Sequence, residues 1–227
     1  MTSGNSKEKY TTLILGAGAS EHLGYPLGKG LRDKILDLEA SKLSILEKTV
    51  WKEDNLQKFQ YDLKNSFALS IDSYLASLEE DQQNLGKFLI TYVLTQNEKK
   101  NVLKPPNDNG WYQVLANYLF DEVGNFRQDR KPLAVITFNY DRSLEAFLNI
   151  YHTGVYNHKN RNTIKTLKQS WCEIKKELPI IHVHGMLGSY PKVSYGIKER
   201  PEVLSRLSKE IKIIHELKGH FEGFVSK

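Results

Sequence analysis

The run Thr12-Leu13-Ile14-Leu15-Gly16-Ala17-Gly18-Ala19-Ser20 constrains the fold more than any other part of this chain. An apolar stretch of strand length stops at two glycines and a serine. Bounded in this way, it reads as a buried strand entering a tight turn. Glycine at 16 and 18 removes the Cβ atoms that would keep a pyrophosphate off the backbone, and it permits left-handed dihedrals. A helix opening after the turn would aim its free N–H groups at the same anion. The plain alternative is a strand–helix turn with no ligand, and the glycines alone do not choose between the two. The pattern departs from the dinucleotide fingerprint, because position 21 is glutamate. Asp37 stands near the place of a ribose-binding carboxylate but falls in a helical pattern, so an ordinary nicotinamide-dependent dehydrogenase is a poor fit.

Two later runs repeat the strand-to-polar switch. Pro132-Leu133-Ala134-Val135-Ile136-Thr137-Phe138 ends at Asn139, and Pro179-Ile180-Ile181-His182-Val183-His184 ends at Gly185. Continuous apolarity of this kind predicts strands covered on both faces, as in a parallel sheet. The residues between the first two strands carry helical spacing only. One stripe runs Leu31, Ile35, Leu38, Leu43, Leu46 and Val50, and the next Leu56, Phe59, Leu63 and Phe67. A third, Ile71, Leu75 and Leu78, follows Ser70 as its cap, and a fourth runs from Leu85 to Val93. Helix is also expected over Trp111–Val123 with Val114, Leu115, Tyr118 and Leu119 inward, and over 141–150, 162–178 and 202–218, with a short strand at Val155-Tyr156. The simplest architecture is α/β: a parallel sheet with a large helical insertion at about 41–125, in one domain over 10–227 behind a flexible tail at 1–9.

Composition excludes several classes. The net charge is +5, from 32 Lys and Arg against 27 Asp and Glu, a surplus too diffuse to argue for direct nucleic-acid binding. Cys172 is the lone cysteine, so no internal disulfide and no cysteine-built zinc site can form. No apolar run approaches the ~20 residues of a membrane span, and the polar first nine residues carry no signal-peptide core. A cytoplasmic setting is expected.

Parallel sheets bind ligands at the carboxyl ends of their strands. Here those ends carry Gly16, Gly18 and Ser20, then Asn139 and Asp141, then His184 and Gly185. Asn139 could hydrogen-bond ribose hydroxyls or a water, or serve as a turn residue. Asp141 could orient that loop, or cap the helix after it. His182 and His184, at i and i+2, face one side if the strand is regular. His184 is the better proton carrier, because it sits at the strand end beside a glycine that clears space. No third ligand at a telling spacing makes a metal site of the two histidines.

Taken together, Leu15-Gly16-Ala17-Gly18-Ala19-Ser20, Thr137-Phe138-Asn139-Tyr140-Asp141 and His182-Val183-His184-Gly185 resemble the SIR2-like, sirtuin-related family, and more closely its bacterial branch found in anti-phage defence. Gly24-Tyr25-Pro26-Leu27 is a supporting piece. The resemblance implies a Rossmann-like sheet with an inserted helical module that helps close over NAD+. It implies pyrophosphate contacts at Gly16, Ala17, Gly18 and Ser20, and further NAD+ contacts at Pro26, Thr137, Phe138, Asp141 and Gly185. Asn139 and His184 would be the catalytic pair. The implied reaction is hydrolysis of NAD+ to nicotinamide and ADP-ribose, without a metal. The implied partners are further copies of the chain or a second defence protein, with an NAD- or ADP-ribose-binding regulator as the alternative. The four-cysteine zinc module of the family's deacetylases cannot be present. Relatives also continue to a further strand that holds the adenosine side. Here the chain reaches Lys227 without one, which implies an abbreviated pocket, one completed by a partner, or a fragment.

Overall fold

The computed structural model describes residues 11–39, 50–104, 107, 109–196 and 200–213. Three strands, β1 (Thr11–Leu15), β2 (Leu133–Thr137) and β3 (Ile180–His182), form one parallel sheet in the order β1-β2-β3. The register aligns Leu15 with Thr137 and Thr137 with His182, so all three strands leave the sheet at one edge. Between β1 and β2 stand α1 (Gly28–Leu36), α2 (Glu53–Asn65), α3 (Ile71–Leu75), α4 (Glu80–Thr95) and α5 (Trp111–Leu119). Two helices, α6 (Ser143–Lys159) and α7 (Leu167–Glu177), connect β2 to β3, and α8 (Pro201–Ser208) follows. The chain is therefore α/β, with a small parallel sheet among many helices. Among the described residues no helix is long and apolar enough to cross a membrane.

The core is mostly helical. Ile35, Phe59, Leu63, Ile71, Leu75, Phe88 and Leu89 are fully buried in it. The expected stripes supply these positions, and Ser70 caps α3 by accepting the Ser73 N–H at 3.1 Å. Thr166 accepts the Gln169 N–H in the same way, which starts α7 later than the apolar pattern suggests.

Several expectations are corrected. Among the described residues the sheet is not covered on both faces: Leu133, Val135 and Thr137 are buried, but the opposite row carries Ile14 at 70% and Ile181 at 56% exposure. Val155-Tyr156 is no strand; it lies in the last turns of α6, where tertiary packing overrides β propensity. The second stripe ends with its helix at Asn65, leaving Phe67 exposed, and Val50 sits exposed in a bend. Helix α5 stops at Leu119 because Phe120 and Phe126 pair across a turn, and its inward face is Tyr112, Leu115, Ala116 and Leu119, with Val114 and Tyr118 outside. Helix α8 ends at Ser208, after which Ile211 bridges to Gly185. The tail at 1–9 and the stripe positions Leu43 and Leu46 lie outside the described residues.

Candidate functional site

The glycine turn and the end of β2 meet directly. Gly16 caps a short 3-10 helix, Ala17–Leu23, in ordinary extended backbone (φ −113°), so left-handed freedom is not what the glycines supply. They supply open space. A Cβ built on Gly16 or on Gly18 meets nothing within 4 Å, and both residues are exposed together with Ala17. The Asn139 side-chain amide donates to the Gly16 carbonyl oxygen at 2.9 Å and reaches the Ser20 hydroxyl at 3.5 Å. One amide thereby ties two strand ends together and keeps its own carbonyl oxygen for another donor. Thr137 supports the turn from below, its hydroxyl accepting the Asn139 N–H at 3.1 Å.

Beneath the turn lies a buried polar network. Ser20 donates to Asp141 Oδ2 at 2.8 Å, while Asp141 Oδ1 accepts the Ser143 N–H at 3.1 Å and the Ser143 hydroxyl. The Tyr112 hydroxyl lies 2.7 Å from the Ser143 hydroxyl. Burial pushes the Asp141 carboxyl pKa up, against the hydrogen bonds from Ser143 and Ser20. Asp141 thus has both oxygens engaged by protein donors, and it holds Ser20 and the start of α6 in place. The small cleft lined by Ser20, Thr137, Asn139, Asp141, Glu145 and His182 measures only about 10 Å³, room for one water. A dinucleotide would lie outside it, across Gly16 and Gly18.

The two histidines have different surroundings, contrary to the regular-strand expectation. Strand β3 ends at His182, and Val183-His184 turn away. The His182 Nδ1 donates to the Asn139 carbonyl oxygen at 2.9 Å, and its Nε2 lies 2.5 Å from Glu145 Oε1. Both side chains are almost completely buried. A carbonyl can only accept, so the geometry suits an imidazolium that donates from both nitrogens. Burial pulls the ring's pKa down, but the Glu145 carboxylate and the hydrogen bonds to Glu145 and Asn139 outweigh it, and the net shift is upward. The ring of His184 lies 5.7 Å from that of Phe138 and 6.1 Å from that of Tyr140, and its Nδ1 is buried without a hydrogen-bond partner.

Gly185 does not clear space for a ligand. It sits at φ +75°, and a Cβ there would fall 1.9 Å from the Glu210 carbonyl oxygen. The close approach of the 210–212 segment, whose Lys212 N–H donates to the His184 carbonyl oxygen at 2.8 Å, is what requires glycine. Phe138 is half-exposed on the uncovered side of the sheet, and Pro26 packs beside Gly30 ahead of α1. No sequence motif singles out Glu145, Tyr112 or Ser143. For Glu145 a signal exists: it is the one carboxylate inside the apolar run Leu144–Leu148. Among the described residues no group of His, Cys, Asp or Glu could hold a metal ion.

The His182–Glu145 pair has a pH signature. A histidine with a raised native pKa stabilises fully below its unfolded value, near 6.5, and the contribution fades as pH rises through the native value. Thermal melts over about pH 6 to 9 should show the stability advantage of the wild type over His182→Gln shrinking with rising pH. An advantage that grows with pH would contradict the pairing.

Compared with known proteins, the chain matches no protein-family model and no curated protein.

Proposed function

We propose that this chain binds NAD+ at the carboxyl edge of its sheet and hydrolyses it to nicotinamide and ADP-ribose. The observation that carries the reading is the Asn139 amide joined to the Gly16 carbonyl, beside glycines that face open space. A pyrophosphate could lie against Gly16, Ala17 and Gly18, and the side-chain Oδ1 of Asn139 could accept from a ribose hydroxyl or a water. The resemblance of the three motifs to the SIR2-like family supports the same assignment, including a Rossmann-like sheet with an inserted helical module.

The chemistry asks little of an acid. The C1′–N bond breaks with its electron pair leaving on nicotinamide, which departs neutral from a cationic ring. Positive charge builds on the sugar, water oxygen bonds to C1′, and the water's proton passes to a base. His184, with its unpartnered buried Nδ1, is the proposed acceptor. Asn139 orients the sugar and the water. The His182–Glu145 pair is proposed to fix the Asn139 backbone. In a cytoplasmic anti-phage effector the consequence would be NAD+ depletion, with activity set by assembly or by a second protein.

The test is incubation of the purified chain with NAD+, with and without candidate partners, and product identification by mass spectrometry. Nicotinamide and ADP-ribose should appear. Asn139→Ala should lower the rate by about 10²–10³-fold, the range for losing one transition-state hydrogen-bonding group. An unchanged rate in the variant would remove the assignment. Saturable NAD+ binding without product would favour the second reading, a regulatory subunit that senses NAD+ or ADP-ribose. The open face in front of Gly16 and Gly18, where the cleft beside Asn139 measures only about 10 Å³, is the observation on that side.

A further inference from the structure

Among the described residues a wide groove lies away from the glycine turn. It lies between α7 and the 186–195 loop, with a volume of about 1100 Å³. Its floor is apolar, built by Ile150, Leu167, Trp171, Leu178 and Met186. Its rim carries Lys100, Lys104, Lys168, Lys175 and Lys192, all exposed. None of the five makes an ion pair with a described residue. The one carboxylate among the described lining residues, Glu145, is buried and committed to His182. Five of the 32 basic side chains therefore stand around one groove.

We propose that this groove docks an acidic, amphipathic helical segment of a partner protein. Its apolar side chains would occupy the floor, and its carboxylates would meet the lysine rim. Three observations favour a protein segment over a small anion. The volume, about 1100 Å³, stands at the upper end of the roughly 300–1,000 Å³ of small-molecule sites, and the groove is open to solvent. Among the described residues the cations of the rim are all lysine, compact point charges on flexible stems, without an arginine fork to hold a phosphate. An apolar floor inside a charged rim is the anatomy of a protein interface, with the charges selecting the partner and steering its approach. The inference does not rest on the NAD+ reading.

Cys172, exposed and the single cysteine of the chain, lines the groove and supplies the reporter. A displayed library of helical peptides is panned on the intact chain, and recovered peptides are assayed for protection of Cys172 from alkylation by iodoacetamide. The expected peptides are net acidic with aliphatic residues at helical spacing. At saturation they slow alkylation by about tenfold or more, and they bind the exposed-surface variant K168E/K175E about tenfold more weakly, with the same loss in K100E/K192E. Versions with every Glu replaced by Lys should not protect. Recovered peptides without acidic bias, equal binding to wild type and both variants, or an unprotected Cys172 would overturn the proposal. So would protection by ADP or by an oligonucleotide where no acidic peptide protects, which would reassign the groove to phosphate. NAD+ turnover is not read in any arm, so failure here leaves the proposed hydrolase untouched.

Discussion

Arg142→Ala should destabilise the chain by about 3–5 kcal/mol, the cost of leaving one charge of a buried ion pair uncompensated. Arg142 and Glu98 have no exposed side-chain surface. The guanidinium donates to both Glu98 oxygens, at 2.8 and 2.9 Å, and to the carbonyl oxygens of Val193 at 2.6 Å and Ser194 at 3.0 Å. Truncation strands the Glu98 carboxylate, left with the Gly196 N–H at 2.9 Å, and takes the guanidinium donor from the Val193 and Ser194 carbonyls. For a chain of this length the shift in melting temperature should be roughly 6–20 °C. Because Arg142 follows Asp141 and opens α6, the same residue clamps the floor of the candidate site to the 188–196 loop. A double variant, Arg142→Met with Glu98→Gln, should recover part of the loss, since no charge is then left unpaired. Differential scanning calorimetry of the two variants checks the prediction; a shift below about 2 °C in Arg142→Ala would contradict the clamp.

Gly185→Ala should cost about 2–4 kcal/mol, although it adds one methyl group. A positive φ disfavours any Cβ by about 1–2 kcal/mol, and here the Cβ would also collide with the Glu210 carbonyl oxygen at 1.9 Å. Relief requires the 210–212 segment to move, which breaks the Gly185–Ile211 bridge and the Lys212-to-His184 hydrogen bond. Gly154→Ala is the internal contrast. Gly154 lies inside α6 with nothing within 4 Å of the added carbon, so that change should stabilise by roughly 0.5–1 kcal/mol. Chemical denaturation of the pair separates a glycine required by close backbone approach from one that merely weakens a helix.

The contrast between these glycines also marks what was legible in the sequence. The meeting of Gly16, Ser20 and Asn139 follows from local rules: apolar runs become strands, parallel strands share an end, and polar residues after them share an edge. The partition of His182 and His184 does not follow, because i, i+2 logic needs a regular strand and β3 has three residues before its turn. Glu145 was hidden because its partner, His182, is 37 positions away and on another element. Gly185 reads from sequence as ligand clearance, whereas the backbone of residues 210–211 fills that space. The half-covered sheet was equally hidden, since an apolar run says that a strand can be buried and not what covers it. Helix boundaries were missed where side chains decide them, as at Thr166 and at the Phe120–Phe126 pair.

Everything assigned to the carboxyl edge depends on the open turn and Asn139 serving one ligand. Calorimetric titration of the intact chain with NAD+ measures this most directly, because it registers occupancy whether or not turnover follows. Gly18→Val adds a side chain into open space at ordinary backbone angles, so folding should be preserved. Wild type should give saturable binding that is lost in both Gly18→Val and Asn139→Ala and retained in K168E/K175E. Absence of binding by the wild type, or binding that survives both site variants, would contradict the assignment of this edge to a dinucleotide.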